Sequence, residues 1–73
     1  MITLRCVVER ITYQNPENGY TVLRAAVRNY KDLVRVVGNL LDVNVGSVLL
    51  LQGDWKVDPK YGNQFCAEKW EET

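Results

Sequence analysis

Leu4-Arg5-Cys6-Val7-Val8-Glu9-Arg10-Ile11-Thr12-Tyr13 is the stretch on which the fold turns. Its apolar residues alternate with period two, as one face of a β-strand requires, and Leu4, Cys6 and Val8 share a parity. Ile11 and Tyr13 then take the opposite parity. A strand that changes its inward side midway needs a bulge or a sharp coil. Such a device lets one strand serve both sides of a small barrel.

The neighbouring segments repeat the strand signal. Gln14-Asn15-Pro16-Glu17-Asn18-Gly19 reads as a loop, with φ fixed at Pro16 and positive φ readily supplied by Asn18-Gly19. Tyr20 to Val27 alternates cleanly, with Thr21, Leu23, Ala25 and Val27 on one face and Tyr20, Val22, Arg24 and then Arg28 on the other. With Asn29-Tyr30-Lys31-Asp32 as a tight turn into a third strand, Leu33 to Asn39, Arg28 opposes Leu33, Ala26 opposes Arg35 and Arg24 opposes Val37. That register sets Val34 and Val36 beside Leu23 and Ala25 and leaves Tyr20, Arg24, Arg28 and Arg35 together outside. Leu40 to Val45 is too short for a useful helix, and Gly46 opens the fourth strand. That strand, Ser47 to Val57, contains the run Val48-Leu49-Leu50-Leu51, typical of a strand covered on both faces, and Gly53, which marks a bulge or bend. Asp58-Pro59-Lys60-Tyr61-Gly62 is turn-rich, and Asn63 to about Lys69 makes a fifth strand.

Five strands, a parity shift in the first and glycines at bends predict an all-β fold, a small five-stranded OB-type barrel. An SH3-like barrel is the main rival, and the length of the first and fourth strands favours the OB type. The expected core contains Val8, Leu23, Val36, Leu49, Leu51 and Phe65. Seventy-three residues form one domain, and a chain this short gains most from a closed architecture. No apolar run approaches the roughly 20 residues of a membrane helix, and the first residues lack a secretory signal, so the chain reads as cytoplasmic with no membrane partner. Cys6 and Cys66 read as buried free thiols, the other reading being a disulfide that closes a long loop.

Catalytic chemistry finds little support. There is no histidine, the only serine (Ser47) follows a turn glycine, and no phosphate-cradling Gly-Lys-Ser/Thr loop is present. The expectation is no enzyme activity in this chain, with no catalytic residues, no cofactor-binding residues and no metal ligands. Nine basic and nine acidic residues exclude a strongly basic nucleic-acid tether, but Arg5, Arg10, Arg24, Arg28, Lys31 and Arg35 crowd the first half. Tyr20 with Arg24, Arg28 and Arg35 on the second and third strands, joined by Tyr61, makes a candidate site for single-stranded DNA, because stacking platforms over positive charge are what such a ligand needs. The competing reading has Tyr20 cover the barrel end and the arginines merely solvated. The segment from Pro59 to Phe65 reads either as a contact loop or, the favoured alternative, as a turn whose Tyr61 folds back on Trp55.

Several of these segments together resemble a known family. Val8-Glu9-Arg10-Ile11, Asn15, Glu17-Asn18-Gly19-Tyr20-Thr21-Val22-Leu23-Arg24, Val37-Gly38-Asn39-Leu40, Val45-Gly46, Gly53-Asp54-Trp55 and Pro59-Lys60-Tyr61-Gly62-Asn63-Gln64-Phe65 are similar, in that order, to the amino-terminal domain of RecD-like ATP-dependent DNA helicases. Pro16 stands where that pattern has an acidic residue. The resemblance implies that residues 1–73 are a single OB-type barrel, the N-terminal fragment of a larger 5′-to-3′ helicase of the exodeoxyribonuclease V alpha-subunit type, acting in DNA repair and recombination. It also implies that ATP and Mg2+ serve motor domains of the parent, since no position here matches their ligands. The partners it implies are the rest of the helicase chain and, weakly, single-stranded DNA. A protein-docking module is the alternative role.

Overall fold

A computed structural model describes residues 1–73 in full. The chain forms five strands and no helix: β1 (Ile2–Gln14), β2 (Tyr20–Val27), β3 (Val34–Asn39), β4 (Val48–Asp58) and β5 (Gly62–Glu72). They close into a barrel in the order β1-β2-β3-β5-β4, with β4 returning to β1. All neighbours are antiparallel except β3 and β5, which pair in parallel from Val36↔Phe65 to Gly38↔Ala67. Closure leaves no edge strand for another chain to pair with.

The parity switch in β1 arises as the sequence suggests. Its pairing with β2 slips between Val8 and Arg10, so Val8 and Ile11 both face inward across the bulge at Glu9. Up to Val7 the same strand pairs with β4, and one bent strand thereby closes the barrel. A second slip between Ile11 and Tyr13 was not foreseen. It turns Tyr13 outward, opposite Val22, while the Thr12 hydroxyl donates to the Val22 carbonyl at 3.0 Å.

All six residues expected in the core are there, with Leu23, Val36, Leu49, Leu51 and Phe65 fully enclosed beside Val8. Leu40 and Val43 join them from the β3–β4 connection, which plugs one end of the barrel without forming a helix. At the other end Trp55 meets Phe65 edge-on at 5.2 Å, and Tyr30 stacks on Trp55 at 5.7 Å. Gly53 and Gly38 approach the β5 backbone closely. A β-carbon at Gly53 would collide with the Cys66 carbonyl, and one at Gly38 would lie 2.5 Å from that of Ala67. The slip between Gln52 and Gly53 lies at this contact, as the glycine predicted.

Three expectations need correction. The β2–β3 register is Arg24↔Arg35 and Ala25↔Val34, two residues from the expected pairing. The connection is longer than four residues because Asn29 takes φ +73° and Tyr30 reaches across to Trp55, which draws Arg28 to Leu33 out of the ladder. A shift of two keeps every side chain on its face, so the core assignment survives. The run Val48 to Leu51 is not covered on both sides: Leu49 and Leu51 are buried, whereas Val48 and Leu50 are only half-buried on the outer face. Tyr61 does not fold against Trp55, because Tyr30 occupies that place. Both cysteines are free thiols, Cys6 buried and Cys66 half-buried.

Candidate nucleic-acid interface

The sheet alternation that sends Leu23, Ala25, Val34 and Val36 into the core puts Arg24 and Arg35 on the outer face, with Val22 and Val37 on that same face but buried. The corrected register places Arg24 directly opposite Arg35, and β1 adds Arg10 opposite Arg24. On the far side the Arg35 Nε donates to Gln64 Oε1 at 3.0 Å, and Gln64 pairs with Lys56 on β4. A row therefore crosses the barrel from Arg10 through Arg24, Arg35 and Gln64 to Lys56. Like charges directly opposite one another destabilise a sheet, by a few tenths to about 1 kcal/mol per pair. No carboxylate relieves them by a salt bridge, since the single ion pair of the structure joins the N-terminal ammonium to Asp54.

Arg35 is held in place. Its guanidinium carbon lies 3.8 Å from the centroid of the Tyr61 ring, and its Nε is fixed by Gln64. Tyr61 is itself positioned by the β4–β5 turn, where the Asp58 carboxylate accepts the Lys60 and Tyr61 backbone N–H groups at 2.8 and 3.0 Å. Those two hydrogen bonds, then the charges of Arg35 and Lys60, hold the Asp58 carboxyl below its usual range. On the opposite side of the face Tyr13 and Tyr20 lie 6.5 Å apart in a tilted pair. The β1–β2 loop between them is braced by Asn15 and Asn18, whose side chains accept the backbone N–H groups of Glu17 and Tyr20, and by an Asn39 amide donated to the Asn18 carbonyl.

Two open hollows meet at the arginine pair. One, of about 590 Å³, is lined by Tyr30 to Val34, Trp55 and Asn63 together with Arg24 and Arg35. The other, of about 450 Å³, is lined by Thr12, Tyr13, Val22 and Tyr61 with the same two arginines. Four of the five candidate residues thus share this face: Arg24, Arg35 and Tyr61 line a hollow, and Tyr20 adjoins it through Tyr13. Arg28 lies apart, exposed in the turn after β2 and outside both linings. Sequence reasoning missed Arg10, Tyr13, Tyr30, Trp55 and Lys56. The parity switch carried a signal for Arg10, since an inward Val8 and an inward Ile11 leave Arg10 outside. Nothing local announced the others.

A closed five-stranded barrel with this strand order, plugged at one end by the β3–β4 connection, is an OB fold, and its β2–β3 face with the β1–β2 and β4–β5 loops is where such folds take oligonucleotides. The family model for the OB-fold domain of the ATP-dependent DNA helicase YrrC matches residues 1–73, and the chain belongs to that family. No curated protein and no solved structure gives a significant match.

Proposed function

We propose that the barrel is a non-catalytic accessory domain of an ATP-dependent, RecD-like 5′-to-3′ DNA helicase acting in DNA repair and recombination, and that its β2–β3 face guides single-stranded DNA. Family membership supports the helicase context. The observation that carries the DNA reading is the row Arg10–Arg24–Arg35–Lys56, without a salt bridge to any carboxylate, beside half-exposed tyrosines. Cations facing one another at a cost to the sheet, next to flat rings, suit a polyanion with stackable bases. On this reading ATP and Mg2+ are handled by motor domains of the parent chain, and the barrel holds neither. The zero net charge keeps affinity modest and sensitive to salt.

Titration of 15N-labelled protein with oligo(dT) at low salt tests the proposal. Amides of Tyr20 to Arg24 and Val34 to Val37 are expected to shift, while ATP with Mg2+ shifts none. If saturating oligonucleotide leaves β2 and β3 unmoved, the face does not bind DNA and the protein-docking role replaces it.

A further inference from the structure

The two hollows share Arg24 and Arg35 and no other residue. Each adds aromatic surface of its own: Tyr13 and Tyr61 on one side, Tyr30 backed by Trp55 on the other. Tyr30 is half-exposed, and Trp55 beneath it is wedged against Phe65 of the core, so the outer ring is supported from below. Around that second hollow Arg24, Lys31 and Arg35 outnumber a single acid, Asp32, and Asn63 supplies an amide that can both donate and accept. Its volume falls within the range of small-ligand sites, roughly 300–1,000 Å³.

We infer that the hollow under Tyr30 is a second base subsite, and that one strand places consecutive bases in the two hollows with the phosphate between them held by Arg24 and Arg35. The inference rests on the single-stranded DNA reading above and adds residues 30–34, Trp55 and Asn63 to the interface. The pair of arginines is the only feature common to both hollows, so a ligand that spans them must pass its linkage over these guanidiniums. Arg35 is suited to an anion there, because Tyr61 and Gln64 fix it before the ligand arrives and a planar guanidinium meets phosphate oxygens in pairs.

The experiment compares oligo(dT) with a methylphosphonate oligomer of the same length and base sequence, which is uncharged along its backbone. The phosphodiester is expected to shift amides of both hollows, Tyr13, Val22 and Tyr61 together with Tyr30 to Val34 and Asn63, along one saturation curve. The neutral oligomer is expected to bind at least tenfold more weakly. In Tyr30→Ala, affinity for oligo(dT) should fall about tenfold, as for loss of one stacked base, whereas Tyr30→Phe should bind as the unsubstituted protein does. Shifts confined to the Tyr13–Tyr61 side would overturn the two-subsite arrangement and leave the DNA reading standing, whereas equal affinity for the neutral oligomer would overturn the arrangement and remove the arginine row as the basis of binding. An absence of shifts in β2 and β3 would remove both. The wild-type mapping decides even if Tyr30→Ala fails to fold.

Discussion

The outer face of β2–β3 and the outer side of β4–β5 belong to one barrel and are built on opposite principles. On β2–β3 arginine faces arginine, Tyr13, Tyr20 and Tyr61 stand half in solvent, and two open hollows meet. On β4–β5 the smaller hollow of about 210 Å³ mixes one cation, Lys69, with one anion, Glu71. There Trp70 turns back to the core and donates its Nε1–H to the Asn39 carbonyl at 2.9 Å, and Gly53 lets β5 press against β4. The second region spends its side chains on closure. The first leaves its arginines without a carboxylate partner and its rings half in solvent, an arrangement a fold keeps most readily where it serves something other than stability.

Substitutions should separate the two regions, and the largest effect is expected on the closure side. Gly53→Ala places a methyl group into the Cys66 carbonyl, so urea denaturation should show a loss of about 3 kcal/mol or more, at the upper end for overpacking. Trp70→Ala removes a half-buried ring and its hydrogen bond and should cost about 2–3 kcal/mol, less than a fully buried aromatic. Arg24→Ala should change stability by no more than about 0.5 kcal/mol in the unfavourable direction, and relief of the facing charges favours a small gain. A loss of several kcal/mol at Arg24 would erase the contrast, because the face would then be structural too.

Titration adds effects that depend on pH. Burial pushes the Cys6 thiol up from 9.0 to about 11, so the folded chain keeps a proton that the unfolded chain releases. Its contribution to stability is complete below pH 9 and is lost as pH rises through about 11. Denaturation curves for the wild type and Cys6→Val should therefore diverge only over that range. In the native protein a thiol reagent at pH 8 should modify half-buried Cys66 well before Cys6. Asp58 has the opposite sign: its lowered carboxyl stabilises the β4–β5 turn above the usual carboxylate range, and that stabilisation fades as pH falls through the depressed value.

Elements built from local alternation were legible in the sequence. Tyr20 to Val27 matches β2 residue for residue, and the bulge between Val8 and Arg10 followed from the parity of Leu4, Cys6, Val8 and Ile11. What escaped depends on partners distant in the chain. The β2–β3 register moved by two because Tyr30 finds Trp55 on β4, a contact that no turn propensity encodes. Tyr61 settles on Arg35 rather than Trp55 for the same reason, with Gln64 helping to fix the guanidinium. The parallel β3–β5 pairing, which brings Gln64 beside Arg35 and Cys66 beside Val37, is non-local and left no local trace. Of the candidate residues, Tyr20, Arg24, Arg35 and Tyr61 gather on one face and Arg28 stays apart, while Arg10, Tyr13, Tyr30, Trp55 and Lys56 lie beside them.

The most direct test of the proposed DNA face is the salt dependence of oligo(dT) affinity in the wild type and in Arg24→Ala/Arg35→Ala. For single strands the logarithm of the binding constant falls with the logarithm of salt concentration by about 0.7 per phosphate contact. If Arg24 and Arg35 hold phosphate, the double variant should bind at least tenfold more weakly at low salt and show a slope shallower by about 0.7 for one shared phosphate or about 1.4 for one each. An unchanged slope and affinity in a folded double variant would contradict the account and move any DNA contact away from the β2–β3 face.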